Sequence, residues 1–135
     1  MSSWTEFDAS YRQEPTDVFI LNLFRGSKNA VTFDPGQVIF SEGEAGDSMF
    51  VVLEGDIEIR VHDKVIDTAH PGELIGEMAL VDKSPRSATA VAQTACKVVP
   101  VNEKQFNFMV QETPNFAITV MRMMCDRLRR RFPAE

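Results

Sequence analysis

The sequence is poor in the residues that make covalent cross-links and metal sites. Its 135 residues include two cysteines and two histidines. Cys96 and Cys125 lie far apart, without a CxxC or metal-like spacing, so neither a disulfide framework nor a zinc site is expected. We predict that both cysteines are buried free thiols and that the protein needs no cofactor or metal. No Ser–His or Cys–His arrangement can be placed either, so an enzyme is not expected.

Long apolar runs and excess positive charge are also missing. Nowhere do eighteen apolar residues follow one another, and the first residues contain no apolar run of signal-peptide length. We therefore expect a soluble cytoplasmic protein without a membrane partner. Twenty acidic and 14 basic residues give a net charge of −6, which argues against a nucleic-acid partner.

The composition is that of one ordinary soluble domain. Hydrophobic residues make up 44% of the chain and charged residues 25%, and 135 residues leave no room for a second large domain. We divide the chain into an N-terminal extension, residues 1–16, and one domain, residues 17–135. Trp4, Phe7 and Tyr11 have helical spacing, so the extension is predicted to hold a short amphipathic helix.

The middle of the chain has the pattern of many short strands. A helix is predicted over residues 17–25, ending before Gly26. Seven β-type runs then follow, punctuated by Gly, Pro, Asp and Asn: residues 30–33, 38–40, 49–53, 57–61, 65–68, 89–91 and 97–101. Such strands predict an antiparallel jelly-roll barrel, and the helices before and after it make the fold α+β.

Two helices are predicted near the C-terminus. Asn102 can cap the first, with Gln105 completing a capping box, and Thr113-Pro114 opens the second. The second helix should extend to about Arg131. Its apolar face is predicted to comprise Ala117, Val120, Met121, Met124, Leu128 and Phe132.

One segment, residues 71–92, has the chemistry of an anion site. Gly72 and Gly76 allow the backbone to approach a ligand, and a short helix from Glu77 would present unpaired N–H groups to an anion. Arg86 adds a planar fork that can grip two phosphate oxygens, and Ser87 adds a hydroxyl donor. A carboxylate repels an anion, so Glu77 suits a neighbouring hydroxyl such as a ribose 2′-OH. One phosphate and one ribose hydroxyl indicate a nucleotide.

The same residues resemble a known family. Gly76-Glu77-Met78-Ala79-Leu80 followed by Pro85-Arg86-Ser87-Ala88-Thr89 is similar to the phosphate-binding cassette of the cyclic nucleotide-binding domain family, which includes catabolite activator protein-like and protein kinase A regulatory subunit-like domains. The upstream segments at residues 33–40, 42–44 and 48–55 resemble the opening strands and glycine turns of that family. The resemblance covers about residues 17–132 and implies a jelly-roll, or double-stranded β-helix, with a short cassette helix.

The resemblance also implies the remaining ligand contacts. Met78 and Ala79 would bind phosphate through their backbone amides. Ile59 and Ile66 fall on strands that face the base, although plain core packing explains an inward isoleucine equally well. Arg127 or Arg131 of the last helix would cap the base by cation–π stacking. The alternative for Arg129 to Arg131 is that these charges only stabilise the C-terminal end of the helix dipole.

We therefore expect a stand-alone cyclic nucleotide sensor, with cAMP as the preferred ligand and cGMP as the second choice. Binding would shift the position of the C-terminal helix. The partner that reads this helix would be an effector protein or a second copy of the chain. The alternative is a degenerate domain that keeps the fold as an interaction or oligomerisation module and binds no nucleotide.

Overall fold

The computed structural model of the chain describes residues 15–131. These residues form four helices and eight strands. The helices are α1 Thr16–Phe24, α2 Glu77–Asp82, α3 Glu103–Glu112 and α4 Phe116–Arg131. The strands are β1 Val31–Phe33, β2 Val38–Phe40, β3 Ser48–Glu54, β4 Ile57–Val61, β5 Lys64–Ala69, β6 Leu74–Ile75, β7 Thr89–Ala92 and β8 Cys96–Asn102.

The strands form two antiparallel four-stranded sheets, with the orders β1-β8-β3-β6 and β2-β7-β4-β5. Apolar residues of both sheets pack into one cluster between them, among them Val52, Ile57, Ile59, Ala90 and Val98. This arrangement confirms the predicted α+β fold with a β jelly roll. All seven predicted strands are present, with small differences at their ends.

Helices cover the outer face of the first sheet. Strand β3 is buried on both faces: Val52 packs between the sheets, whereas Met49 and Val51 join the helix layer. The helices contribute Ile20 and Phe24 of α1 together with Phe116, Val120 and Met123 of α4. An uninterrupted apolar run at β3 is therefore explained by burial on both sides.

Strand β6 is absent from the sequence prediction. Leu74 and Ile75 pair with Val51 and Phe50 of β3, so the strand ends one residue before the cassette glycine, Gly76. Two apolar residues are too few to show strand periodicity. The capping box at Asn102 and Gln105 is present as predicted.

Two predictions about burial are wrong. Cys96 is buried, but Cys125 is exposed. On α4 the core side consists of Phe116, Thr119, Val120 and Met123, whereas Met121 and Leu128 face solvent. The predicted apolar face combined residues from two different sides of α4, because both sides carry apolar residues.

Two predictions concern residues outside the described range. One is the N-terminal helix with Trp4, Phe7 and Tyr11, and the other is the position of Phe132 on α4.

No helix among the described residues is long and apolar enough to cross a membrane. Within residues 15–131 no group of three or more His, Cys, Asp or Glu side chains is arranged to hold a metal ion.

Candidate functional site

A cavity of about 260 Å³ opens between the second sheet, the α2 segment and the end of α4. All ten residues predicted to contact ligand lie in its wall: Ile59, Ile66, Gly76, Glu77, Met78, Ala79, Arg86, Ser87, Arg127 and Arg131. They come from two strands, the cassette and the C-terminal helix. The fold thus brings them together, and their roles as ligand contacts stay predictions.

Arg86 is the most unusual side chain of the cavity, because it is a buried cation. Only 7% of the residue is exposed. Its Nη1 donates hydrogen bonds to the carbonyl oxygens of Ser48, at 2.7 Å, and Gly76, at 3.2 Å. Its guanidinium carbon lies 4.4 Å from the centre of the Phe40 ring, a cation–π distance. The side chain is therefore held rigidly at the cassette end of the cavity.

The charge of Arg86 is incompletely compensated. Among residues 15–131 no carboxylate forms an ion pair with it, and its Nε has no hydrogen-bond partner there. Burial lowers the pKa of Arg86, and the more distant carboxylates of Glu44 and Asp47 offset only part of that effect. A buried cation with an unpaired donor is a favourable place for an anion.

Two glycines make room for this arginine. A Cβ atom built on Gly46 would lie 2.3 Å from Arg86 Nε, and one on Gly76 would lie 2.7 Å from Nη1. Gly76 also has a φ of 75°, the left-handed conformation that glycine adopts without strain. The role of Gly46 was missed in the sequence, where its only signal was its place in the loop before β3.

The α2 segment lies against the same end of the cavity. Gly76 occupies the N-cap position, and no side chain caps the helix. The first N–H groups of any helix have no intrahelical partner, so the Met78 and Ala79 amides are of the type that binds anions. Ser87 is exposed, and its hydroxyl contacts Met78 Sδ at 3.7 Å.

Glu77 is engaged by the C-terminal helix. Arg127 Nη1 lies 2.9 Å from both Glu77 Oε1 and Oε2, and Arg127 Nη2 donates to the Leu74 carbonyl oxygen. The two side chains are 12% and 15% exposed, for Glu77 and Arg127 respectively, so this ion pair is shielded from water. The sequence did not predict this pairing, because Glu77 and Arg127 were each expected to make a separate contact with the ligand.

A second group of charges closes the far end of the cavity. Asp67 of β5 accepts a hydrogen bond from Arg130 at 3.0 Å and lies 3.6 Å from Arg131. Burial raises the pKa of Asp67, but hydrogen bonds from Arg130 and the Thr68 amide, with the charges of Arg130 and Arg131, outweigh it and lower the pKa overall. Arg127, Arg130 and Arg131 thus all hold α4 against acidic residues of the cavity.

A family model matches the part of the chain that contains the cassette. The model of the family described as cyclic nucleotide-binding domain matches residues 30–113, more than half of the chain. The chain belongs to the cyclic nucleotide-binding domain family. The matched range includes both sheets, the cassette and the first C-terminal helix.

Two relatives of this cyclic nucleotide-binding domain are longer than the part that the chain matches. The chain is 27% identical over 105 residues to the CRP-like cAMP-activated global transcriptional regulator of Mycobacterium tuberculosis, covering 74% of this chain and 47% of the relative. It thus spans about half the length of that relative. Among solved structures, the catabolite activator protein of Thermus thermophilus matches with a TM-score of 0.69 and 27% identity, over 87% of this chain and 56% of that one.

One similar protein has been solved with each of two different nucleotides. The EAL enzyme Bd1971 matches in a cAMP-bound form, with a TM-score of 0.55 and 31% identity, over 74% of this chain and 28% of that one. Its cGMP-bound form matches with a TM-score of 0.57 and 33% identity, over 75% and 28%.

Proposed function

We propose that this cyclic nucleotide-binding domain is a sensor that binds cAMP, or in second place cGMP, in the cavity between the cassette and α4. The cyclic phosphate lies at Arg86, Ser87 and the Met78 and Ala79 amides. The ribose 2′-OH lies at Glu77, and the base lies among Ile59, Ile66 and the arginines of α4.

The observation that carries this proposal is the incompletely compensated charge of Arg86. A buried arginine without a carboxylate partner among residues 15–131 is unfavourable by itself, and removing ions from water costs several kcal/mol in proteins. A phosphate supplies both the missing charge and acceptors for the unused N–H groups. A module serving only as a scaffold has no need of such a group in a cavity wall.

Glu77 links the ligand to the output helix. A ribose hydroxyl that donates to Glu77 shares this carboxylate with Arg127, and Arg127 belongs to α4. The bound nucleotide therefore changes the free energy of the contact that holds α4 on the cavity. Such a differential contact is what a population shift of the helix requires.

The M. tuberculosis relative, which is named as cAMP-activated, supports cAMP as the preferred ligand. The cGMP-bound form of Bd1971 supports cGMP as the second candidate ligand. The output passes to an effector protein or to a second copy of the chain through α4. The free thiols Cys96 and Cys125 fit a cytoplasmic location, where thiols stay reduced.

Titration calorimetry of the purified chain with cAMP, cGMP and linear 5′-AMP tests the proposal. We expect binding of a cyclic nucleotide and at least about tenfold weaker binding of 5′-AMP. This ratio corresponds to a difference of at least about 1.4 kcal/mol in binding free energy. The Arg86→Met variant is the matched negative control, because it keeps an unbranched apolar side chain without the guanidinium charge, and it should lose most of the binding. Absence of binding by all three nucleotides would instead favour the interaction-module alternative.

A further inference from the structure

An apolar groove of about 350 Å³ lies between the end of α1, strand β8 and helix α3, apart from the nucleotide cavity. We name it the α3 groove, and its apolar lining residues include Phe24, Val99, Val101, Phe108 and Met109. Phe108 is 61% exposed, and none of the ten described residues of α3 is buried. Helix α3 therefore leaves apolar surface open on the side where it faces α1.

The residues that precede α1 are close enough to reach this groove. Pro15, the first described residue, has a φ of −59° and a ψ of 149°, so the chain before it leaves the axis of α1 instead of continuing the helix. The nine residues of α1 span about 14 Å at 1.5 Å per residue, and Phe24 at the far end lines the groove. Four extended residues span about 13–14 Å. A segment that turns back along α1 therefore brings Tyr11 to the groove and places Phe7 and Trp4 along it.

The aromatic residues of this segment have the spacing that a groove of this kind accepts. Trp4, Phe7 and Tyr11 are separated by three and four residues. This is the spacing of the anchor residues of an amphipathic helix that lays its apolar face in a groove. Each aromatic side chain can bury about 150–250 Å² of surface. The segment thus carries more than enough apolar surface to cover Phe108.

The charges of the segment and of the groove are opposite in sign. Residues 1–14 contain three acidic residues and one basic residue, Arg12. Lys104 lines the groove, and the exposed Arg25 and Lys28 lie in the turn between α1 and β1, beside it. Complementary charges favour one partner over another more than they add affinity. They favour an acidic segment as the occupant of this groove.

We propose that residues 1–14 dock in the α3 groove of the same chain, with Trp4 and Phe7 against Phe108 and Met109. The docked segment covers the apolar surface of α3 and holds α3 against α1. Because the segment is tethered through Pro15, docking is an intramolecular step and avoids most of the entropy cost of association. This proposal does not rest on nucleotide binding.

The fluorescence of Trp4 tests the docking in the full chain, because Trp4 is the only tryptophan of the sequence. We expect its emission to lie to the blue of that of the urea-unfolded chain, with weaker quenching by acrylamide. Phe108→Glu places a carboxylate in the docked contact, so the equilibrium constant for docking should fall by at least about tenfold. Emission and quenching should then approach the unfolded values. Met121→Glu is the matched control: Met121 is 53% exposed on α4, outside the groove, and this change should leave the Trp4 signal as it is.

A second variant changes the segment and leaves the groove intact. Phe7→Ser removes one anchor residue, so it should also expose Trp4 to acrylamide. Both Phe108→Glu and Phe7→Ser should still unfold cooperatively in urea, which separates release of the segment from loss of the fold. The Trp4 signal of the wild-type chain should not change on dilution, because the contact lies within one chain.

Three results would overturn the proposal. Quenching of Trp4 in the wild-type chain equal to that in the unfolded chain would show that the segment does not dock. Exposure of Trp4 by Met121→Glu but not by Phe108→Glu would place the segment on α4. Exposure of Trp4 on dilution would show that the segment occupies the groove of a second copy.

Discussion

Arg127 Nη1 lies 2.9 Å from each carboxylate oxygen of Glu77, across 50 residues of chain. This contact joins the first residue of the cassette helix to the C-terminal helix. It is also the point where the proposed ribose site and the proposed output element meet. The stability of the unliganded chain and its affinity for a nucleotide should therefore depend on the same carboxylate.

Removing that carboxylate should affect both properties. Glu77→Ala leaves Arg127 shielded from water without its partner, so we expect a loss of about 1–3 kcal/mol in the free energy of unfolding, measured in urea without nucleotide. Arg129→Ala is the control. It breaks an exposed pair with Asp126 and should cost less than about 1 kcal/mol. Equal losses in the two variants would show that the Glu77–Arg127 pair contributes no more than a surface pair.

The ribose contact can be separated from that effect by changing the ligand. If the 2′-OH donates to Glu77, wild-type chain should bind 2′-deoxy-cAMP about tenfold more weakly than cAMP, since a hydrogen bond to a charged group contributes about 1.5–3 kcal/mol. Glu77→Ala should bind the two nucleotides equally. Titration calorimetry measures both ratios, and an undiminished preference for cAMP in the variant would assign the hydroxyl to another residue.

Arg86 should be dispensable for folding but not for binding. Arg86→Met removes the charge and keeps an apolar chain against Phe40, and replacing a buried charge by an apolar residue of similar size is often neutral or stabilising. We expect an unliganded melting temperature equal to wild type or higher, and loss of the rise in melting temperature with cAMP. A large fall without ligand would identify the hydrogen bonds to Ser48 and Gly76 as essential to the fold.

The contact of Asp67 with Arg130 and Arg131 should make stability depend on pH. The folded pKa of Asp67 is lowered, so its contribution is complete above the ordinary value of 3.8 and is lost as the pH falls through the lower folded value. The difference in unfolding free energy between wild type and Asp67→Asn should therefore be constant near neutral pH and shrink in acid. A difference that grows on acidification would contradict this assignment.

A substitution in the turn between β4 and β5 should stabilise the folded protein. His62 and Asp63 both have positive φ, 51° and 66°, which is the conformation of a two-residue hairpin turn that favours glycine in second place. Asp63→Gly should raise the free energy of unfolding by about 0.5–1 kcal/mol. Gly55→Ala should do the reverse, because a Cβ there would lie 2.2 Å from the Ala95 carbonyl oxygen. Urea unfolding compares the two, and destabilisation by Asp63→Gly would show that the Asp63 turn is unstrained.

The strands and caps were predictable because their signals are local. The alternation of Ile57, Ile59 and Val61 with polar residues predicts β4, and the capping box at Asn102 lies within four residues. The cassette is local too, since Gly76, Glu77 and Arg86 lie within eleven residues of one another in a recognisable order. Strand β6 escaped prediction, because two apolar residues take strand geometry only through pairing with β3.

The faces of α4 were not predictable in the same way. Helical spacing shows that two sides of α4 are apolar, but it does not tell which one the sheet covers. The structure decides this through Phe116, which is fully buried, and Met121, which is exposed. Cys125 is exposed because it lies on the same side of α4 as Met121.

The strand pattern, the capped helices and the chemistry of the cassette can be predicted from the sequence, because they depend on residues that are close along the chain. Three contacts become visible only in the folded protein: Gly46 makes room for Arg86, Arg86 is a buried cation, and Arg127 holds Glu77. Sequence alone does not predict them because they join distant segments. Their distances depend on how the sheets and α4 pack, and hydrophobic burial drives that packing without a directional signal in any single segment.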